Sequence, residues 1–240
     1  MLAICKKELR VFFSSLTGYL AIIVFLLLNG LILFVFEPGI FDEGYASLSR
    51  FFELAPWVLL LLIPAITMRS LSDEYRAGTF EVLRTQPLST RALVSGKYLA
   101  SLLVVIVALI PTVIYYFSVQ QLSAQGGIDT GATMGSYIGL LFLAGVFAAI
   151  GTWCSSLTPN AVVAFILAAG ICLLIYSGFS AISRLSGLPA GADYYISMIG
   201  IDFHYRSISR GVADSRDIIY FGSLIFFFLF LTGRNLHKRS

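Results

Sequence analysis

Charge is what this sequence is short of. Only 12% of its 240 residues are Asp, Glu, Lys or Arg, whereas 58% are apolar. A water-soluble domain carries roughly 25% charged residues, enough to solvate its surface. This chain falls too far below that to be covered by water, so its outer surface is expected to face lipid. Cysteine is scarce too. Cys5, Cys154 and Cys172 show no metal-ligand spacing, and three cannot close a full disulfide framework. Cys172 lies in an apolar run and is expected to pack as a small hydrophobe. The two histidines, His204 and His237, are expected on opposite sides of the membrane, where they cannot share a metal. No glycine-rich loop ends in Lys-Ser or Lys-Thr, so ATP cannot be held in a phosphate loop of that kind. The apolar runs contain no paired acids and no nucleophile–base set, which argues against an intramembrane enzyme. They also contain almost no ionisable residue, whereas a proton-coupled carrier needs an intramembrane carboxylate or histidine. Energy for any transport is therefore expected from another chain. No internal repeat or low-complexity tail is present, and nothing points to nucleic acid.

Long apolar runs are what the sequence does have. Crossing the hydrocarbon core takes about 20 mostly apolar residues. Six stretches approach that length: 16–36, 52–69, 97–119, 135–155, 160–183 and a shorter one at 217–233. Lipid offers no partner for backbone polar groups, so each span is expected to be a helix. The run at 16–36 is too long for the apolar part of a signal peptide, about 7–15 residues, and is read as a retained span. Pro64 and Pro111 fall inside spans and predict kinks. The whole of 1–240 is expected to form one transmembrane bundle.

Lys and Arg set the orientation, because they collect in cytoplasmic loops. Eleven fall at the N-terminus, between the second and third spans, and at the C-terminus, against five on the other side. Both termini are therefore expected in the cytoplasm, in an inner (cytoplasmic) membrane. Two connections are too long for simple turns: a cytoplasmic one at 69–96 and an external one at 184–216. The external one contains the half-apolar stretch 194–201, too short to span. It is expected to be re-entrant or interfacial, with Tyr194 and Tyr195 in the headgroup zone.

The cytoplasmic connection can be read residue by residue. Helix is expected to continue through Tyr75 and end at Gly78, which takes the left-handed conformation of a helix C-cap. Thr79 would cap a new short helix, with Glu81 in its first turn near the positive dipole end. Phe80, Val82 and Leu83 give that helix an apolar side, and Pro87 stops it. Ser89 or Thr90 then caps the third span. An amphipathic helix of this kind fits docking to a partner and resting on lipid equally well. In the external connection, Arg210 and Asp214 are spaced for an i,i+4 pair, and Asp217 is placed to cap the last span.

The run Asp73-Glu74-Tyr75-Arg76, followed by Gly78-Thr79-Phe80-Glu81, Leu83 and Pro87, with Gly96-Lys97 opening the next helix, resembles the segment after the second span of ABC-2 type transporter permeases. The close of the chain, from Ser209-Arg210-Gly211 through Asp214 and Asp217 to Gly233-Arg234, is similar to a subgroup that includes gliding-motility-associated permease subunits. The resemblance implies an all-α, six-helix ABC-2 bundle with a cytoplasmic coupling helix and a re-entrant external segment. It implies a non-catalytic subunit, with no cofactor of its own, whose ATP and Mg are held by a separate ABC ATPase. It also implies a second permease copy or paralogue and an accessory membrane or periplasmic subunit. Coupling to the ATPase would fall to Asp73, Glu74, Arg76, Gly78, Thr79, Phe80, Glu81, Leu83 and Pro87. An ATP-driven anchor that transmits force and moves no substrate is the alternative.

Overall fold

The computed structural model describes residues 1–36, 47–80, 89–123, 127–184, 191–211 and 214–238. Every regular element among them is a helix. The first, α1 (Leu2–Ser14), carries the charged N-terminal segment, and the apolar α2 (Leu16–Phe34) follows. Ser15 separates them in an extended conformation, and its hydroxyl accepts from the Gly18 amide to cap α2. The chain bends by 73° at this elbow. The sequence expectation began the first span at residue 16 and did not foresee a helix of its own before it.

After the elbow pair, α3 (Ser49–Thr67) runs through Met68 into α4 (Arg69–Arg76). Next, α5 (Thr90–Leu109) is joined to α6 (Val113–Leu122) by a 3₁₀ turn at Ile110–Thr112. The long α7 (Thr130–Leu157) leads to α8 (Ala161–Leu173), which continues through a π turn into α9 (Phe179–Ser183). Two short helices, α10 (Ala192–Ile199) and α11 (Ile201–Ser209), precede the last, α12 (Ser215–Lys238). Five helical segments are long and apolar enough to cross a membrane, or six if the bent α1–α2 pair is one span. The protein is thus an all-helical polytopic membrane bundle. Its starts are capped as the sequence allows: Ser89 accepts from Ala92, Asp129 from Ala132 and Asn160 from Val162.

The centre of the bundle is α7, which packs against α3, α4, α5, α8, α11 and α12. Its sequence explains why. Gly139, Ala144, Gly145, Ala148, Ala149 and Gly151 are small, and small residues let helix backbones approach closely where no water drives association. The approach is closest at Gly151, where an added Cβ would lie 2.0 Å from the Thr67 hydroxyl of α3. Polar side chains inside the bundle satisfy themselves locally. The hydroxyls of Thr67, Ser101, Thr152 and Thr232 donate to carbonyls one turn back. Leu16, Val162 and Phe226, by contrast, are mostly exposed apolar side chains on the outer surface, as a lipid solvent permits.

The α-helix runs unbroken through Pro64, whereas Pro111 sits in the 3₁₀ turn that divides α5 from α6. Pro56 has no N–H, which leaves the Phe52 carbonyl without its helical donor. The buried Tyr205 hydroxyl of α11 supplies that bond at 2.7 Å. Burial holds the Tyr205 phenol well above its ordinary titration range, so it remains a donor. This bond ties α11 to the start of α3. Ser136 of α7 adds a second tie to α11 by donating to the Ser209 carbonyl at 3.0 Å.

Two expectations for the segment between the fifth and sixth spans are corrected. Gly211, at φ +84°, ends α11, and Arg210 donates to the Arg206 carbonyl rather than pairing with Asp214. The i,i+4 ion pair belongs instead to Asp202 and Arg206 at 2.9 Å. The cap of α12 is Asp214, which accepts from the Arg216 amide at 2.9 Å, and not Asp217. Asp217 is buried and meets the buried His204 at 2.6 Å. The other ring nitrogen of His204 donates to the Met198 carbonyl at 2.9 Å, because a carbonyl can only accept. A proton must therefore lie between Nδ1 and the Asp217 carboxylate. Tyr220 stacks on the imidazole at 3.9 Å and closes the contact. Tyr194 and Tyr195 are exposed, and the Tyr194 ring lies edge-on to Phe203 at 5.7 Å.

Candidate functional site

The end of the bundle that carries both termini is where α1, α4, the start of α5 and the end of α12 meet. Ile4, Leu71, Phe80, Leu93, Val94 and Leu236 form a small apolar core there, separate from the main one. Above it α4 ends in a tight turn. The Thr79 amide reaches the Glu74 carbonyl at 3.1 Å, and the Gly78 amide reaches Tyr75 at 3.3 Å. This double bond pattern requires a left-handed residue, and Gly78 has φ +67°. The chain thereby reverses, and Phe80 folds back onto Tyr75 with ring centres 4.8 Å apart.

The start of α4 is held by another helix. The Ser155 hydroxyl of α7 accepts from the amides of Leu71 at 2.8 Å and Ser72 at 3.1 Å. It donates to the Met68 carbonyl at 3.1 Å, and Ser72 donates back to the Ser155 carbonyl at 3.1 Å. A side chain inserted at this point takes the amides that a continuous helix would bond internally. The α3–α4 junction is therefore pinned to the central helix.

Beside the junction lies a buried ionic cluster. Lys97, only 1% exposed, reaches Glu8 and Glu74, each at 2.9 Å, and donates to the Ser70 carbonyl. Lys7 adds a second cation 3.3 Å from Glu74. Three helices, α1, α4 and α5, are thus joined through one ammonium group. A buried charge is costly unless it is paired and hydrogen-bonded, and Lys97 meets that condition on three sides.

The residues that the resemblance singled out do not share one environment. Asp73, Arg76, Gly78 and Thr79 are exposed around the end of α4. Glu74 and Phe80 are buried, so Glu74 faces inward to Lys97 instead of outward to a partner. The Thr79 hydroxyl turns back toward the Glu74 carbonyl at 3.4 Å. Glu81, Leu83 and Pro87 lie outside the described residues, as does most of the expected short helix. Sequence reasoning did not find Glu8 or Ser155, and it took Lys97 only as the start of a helix. One signal for Lys97 was present: it shares a helical face with Leu93, Ser101 and Val104, all buried. Among the described residues, no group of three His, Cys, Asp or Glu could hold a metal.

A family model described as "ABC-2 family transporter protein" matches residues 2–192, from α1 to the start of α10. No curated protein matches the chain.

Proposed function

The chain belongs to the ABC-2 family of transporter proteins, and we propose that it serves as the membrane-embedded permease subunit through which a separate ABC ATPase does work. The family assigns it a transmembrane component of an ABC transporter. The finer reading is that residues 69–96 receive the motion of the ATPase in the cytoplasm of a cell whose inner membrane holds the bundle. One observation carries it. The α4 helix continues a span across the Met68 junction, is pinned by Ser155 to the central α7, and ends in an exposed glycine turn. A push on that turn moves two spans, not a loop. The exposed Asp73, Arg76 and Thr79 offer polar contacts to a partner, whereas Glu74 serves inside as the joint to Lys97. ATP and Mg belong to the partner in this reading. A second permease copy or paralogue completes the pathway, an accessory subunit assists, and gliding motility is the associated process.

Gly78→Val and Glu81→Ala test the coupling. At Gly78 nothing lies within 4 Å of an added Cβ, so the effect comes only from the positive φ, which a β-branched residue tolerates poorly. Both variants should insert and stay folded in detergent. Each should lower co-purification of the ATPase or its stimulated turnover by about tenfold, equivalent to one buried charge-assisted contact. Wild-type binding and turnover in both variants would sink the reading. Stimulation of turnover by an added substrate separates transport from a purely mechanical role.

A further inference from the structure

The elbow between α1 and α2 encloses a cavity of about 380 Å³ against α3, α4 and α5. That is within the range of small-molecule sites, roughly 300–1,000 Å³. Its lining is graded along the bundle. At the end with the termini it is walled by Lys7, Arg69, Ser70, Asp73 and Glu74. One to two helical turns deeper it is walled by Ala21, Ile66 and Val104.

The charged end has unused capacity of both signs. Arg69 and Asp73 are spaced for an i,i+4 pair, yet among the described residues neither takes part in an ion pair, and both are exposed. The second carboxylate oxygen of Glu74, a residue 8% exposed, has no hydrogen-bond partner, and neither has the Ser70 hydroxyl. Lys97 is already committed to Glu8, Glu74 and the Ser70 carbonyl, and the cations at the rim are Arg69 and the half-exposed Lys7, which also contacts Glu74 at 3.3 Å. A ligand that satisfies this wall brings N–H donors for the acids, an anion for Lys7 and Arg69, and an apolar tail for the deeper half.

We propose that the elbow cavity binds one phosphoethanolamine lipid from the leaflet on the side of the two termini. The phosphate would rest on Lys7 and Arg69, the ammonium on Asp73 and Glu74, and an acyl chain along Ile66 and Val104. A quaternary ammonium lipid has no N–H to give these acceptors, and an anionic lipid without an amine leaves Asp73 unanswered. The proposal shares Asp73 with the coupling reading, and Arg69→Gln and Ala21→Phe, which lie outside the residues given to the ATPase, keep the failure of one distinguishable from the failure of the other.

The test is native mass spectrometry of the full chain, purified in mild detergent in the complex it forms. It is titrated with phosphatidylethanolamine, phosphatidylcholine and phosphatidylglycerol of identical acyl chains. Phosphatidylethanolamine should be retained at least about fivefold better than the other two. Asp73→Asn and Arg69→Gln should each weaken it by about fivefold, the upper range for an exposed ion pair. Ala21→Phe, which fills the deeper half, should reduce all three lipids together. These positions are exposed or half-buried, and an unchanged thermal midpoint confirms that each variant is folded. Equal retention of the three lipids, or retention of phosphatidylethanolamine that neither charge variant alters, overturns the proposal. So does free phosphoethanolamine that binds as tightly as the lipid, since the tail would then contribute nothing.

Discussion

Lys97→Met is the sharpest probe of how this bundle is held together. Lys97 is almost fully buried and lies 2.9 Å from both Glu8 and Glu74. Methionine keeps the length and apolar stem but removes the charge. Two carboxylates then face each other, with only Lys7, itself half exposed, to compensate. Removing one partner of a buried ion pair costs about 3–5 kcal/mol, because the remaining charge stays buried. Glu8 is partly exposed, with a fifth of its side chain open, so the lower end applies, about 3 kcal/mol. For a chain of this size that is a fall in thermal midpoint of about 6–12 °C. Glu74→Gln should behave quite differently. Lys97 would keep Glu8 and the Ser70 carbonyl, so a loss of about 1 kcal/mol is expected. The double variant should be more stable than Lys97→Met alone, since it removes one of the two stranded carboxylates. The assay is thermal unfolding of the detergent-purified chain, followed by intrinsic fluorescence and size exclusion. Equal losses for Lys97→Met and Glu74→Gln, or strictly additive losses in the double variant, would refute the argument that one ammonium joins three helices.

Tyr205→Phe should lower stability by about 1–3 kcal/mol by stranding the Phe52 carbonyl, and Pro56→Ala in the same chain should recover part of that by restoring an amide donor; thermal midpoints of the single and double variants check it, and no recovery would count against the assignment. Gly151→Ala should force α3 and α7 apart, because the added Cβ would lie 2.8 Å from the Thr67 Cβ, and a loss of about 1–3 kcal/mol is expected. The companion Thr67→Ala change removes the contacting hydroxyl and should relieve part of this loss in the same unfolding assay.

The two ends of the bundle show where sequence reading worked and where it could not. The glycine turn at the end of α4 was legible because it is a local event: only a residue that tolerates positive φ fits there, and Gly78 is the residue that does. The cap before the third span, expected at Ser89 or Thr90 and found at Ser89, was accessible for the same reason, since it bonds an amide three residues on. The inward turn of Glu74 could not be read. Its partners Lys7 and Lys97 lie 67 and 23 positions away, and helical spacing says nothing about which faces of separate helices will meet. Ser155 was hidden likewise, because its bonds to Leu71 and Ser72 cross more than eighty residues.

Asp217 shows the boundary most plainly. From sequence it was a helix cap, and the cap turned out to be Asp214, three residues earlier; Asp217 instead holds a proton with His204. By itself the sequence determined that this chain is a bundle of apolar helices, because the scarcity of charge and the length of the apolar runs leave lipid as the only solvent that fits and helix as the main structure that lipid allows. The tertiary structure decided which polar groups meet. In lipid each buried charge or orphaned carbonyl needs a specific partner, and that partner is fixed by how helices distant in sequence pack around α7, not by the residues beside it.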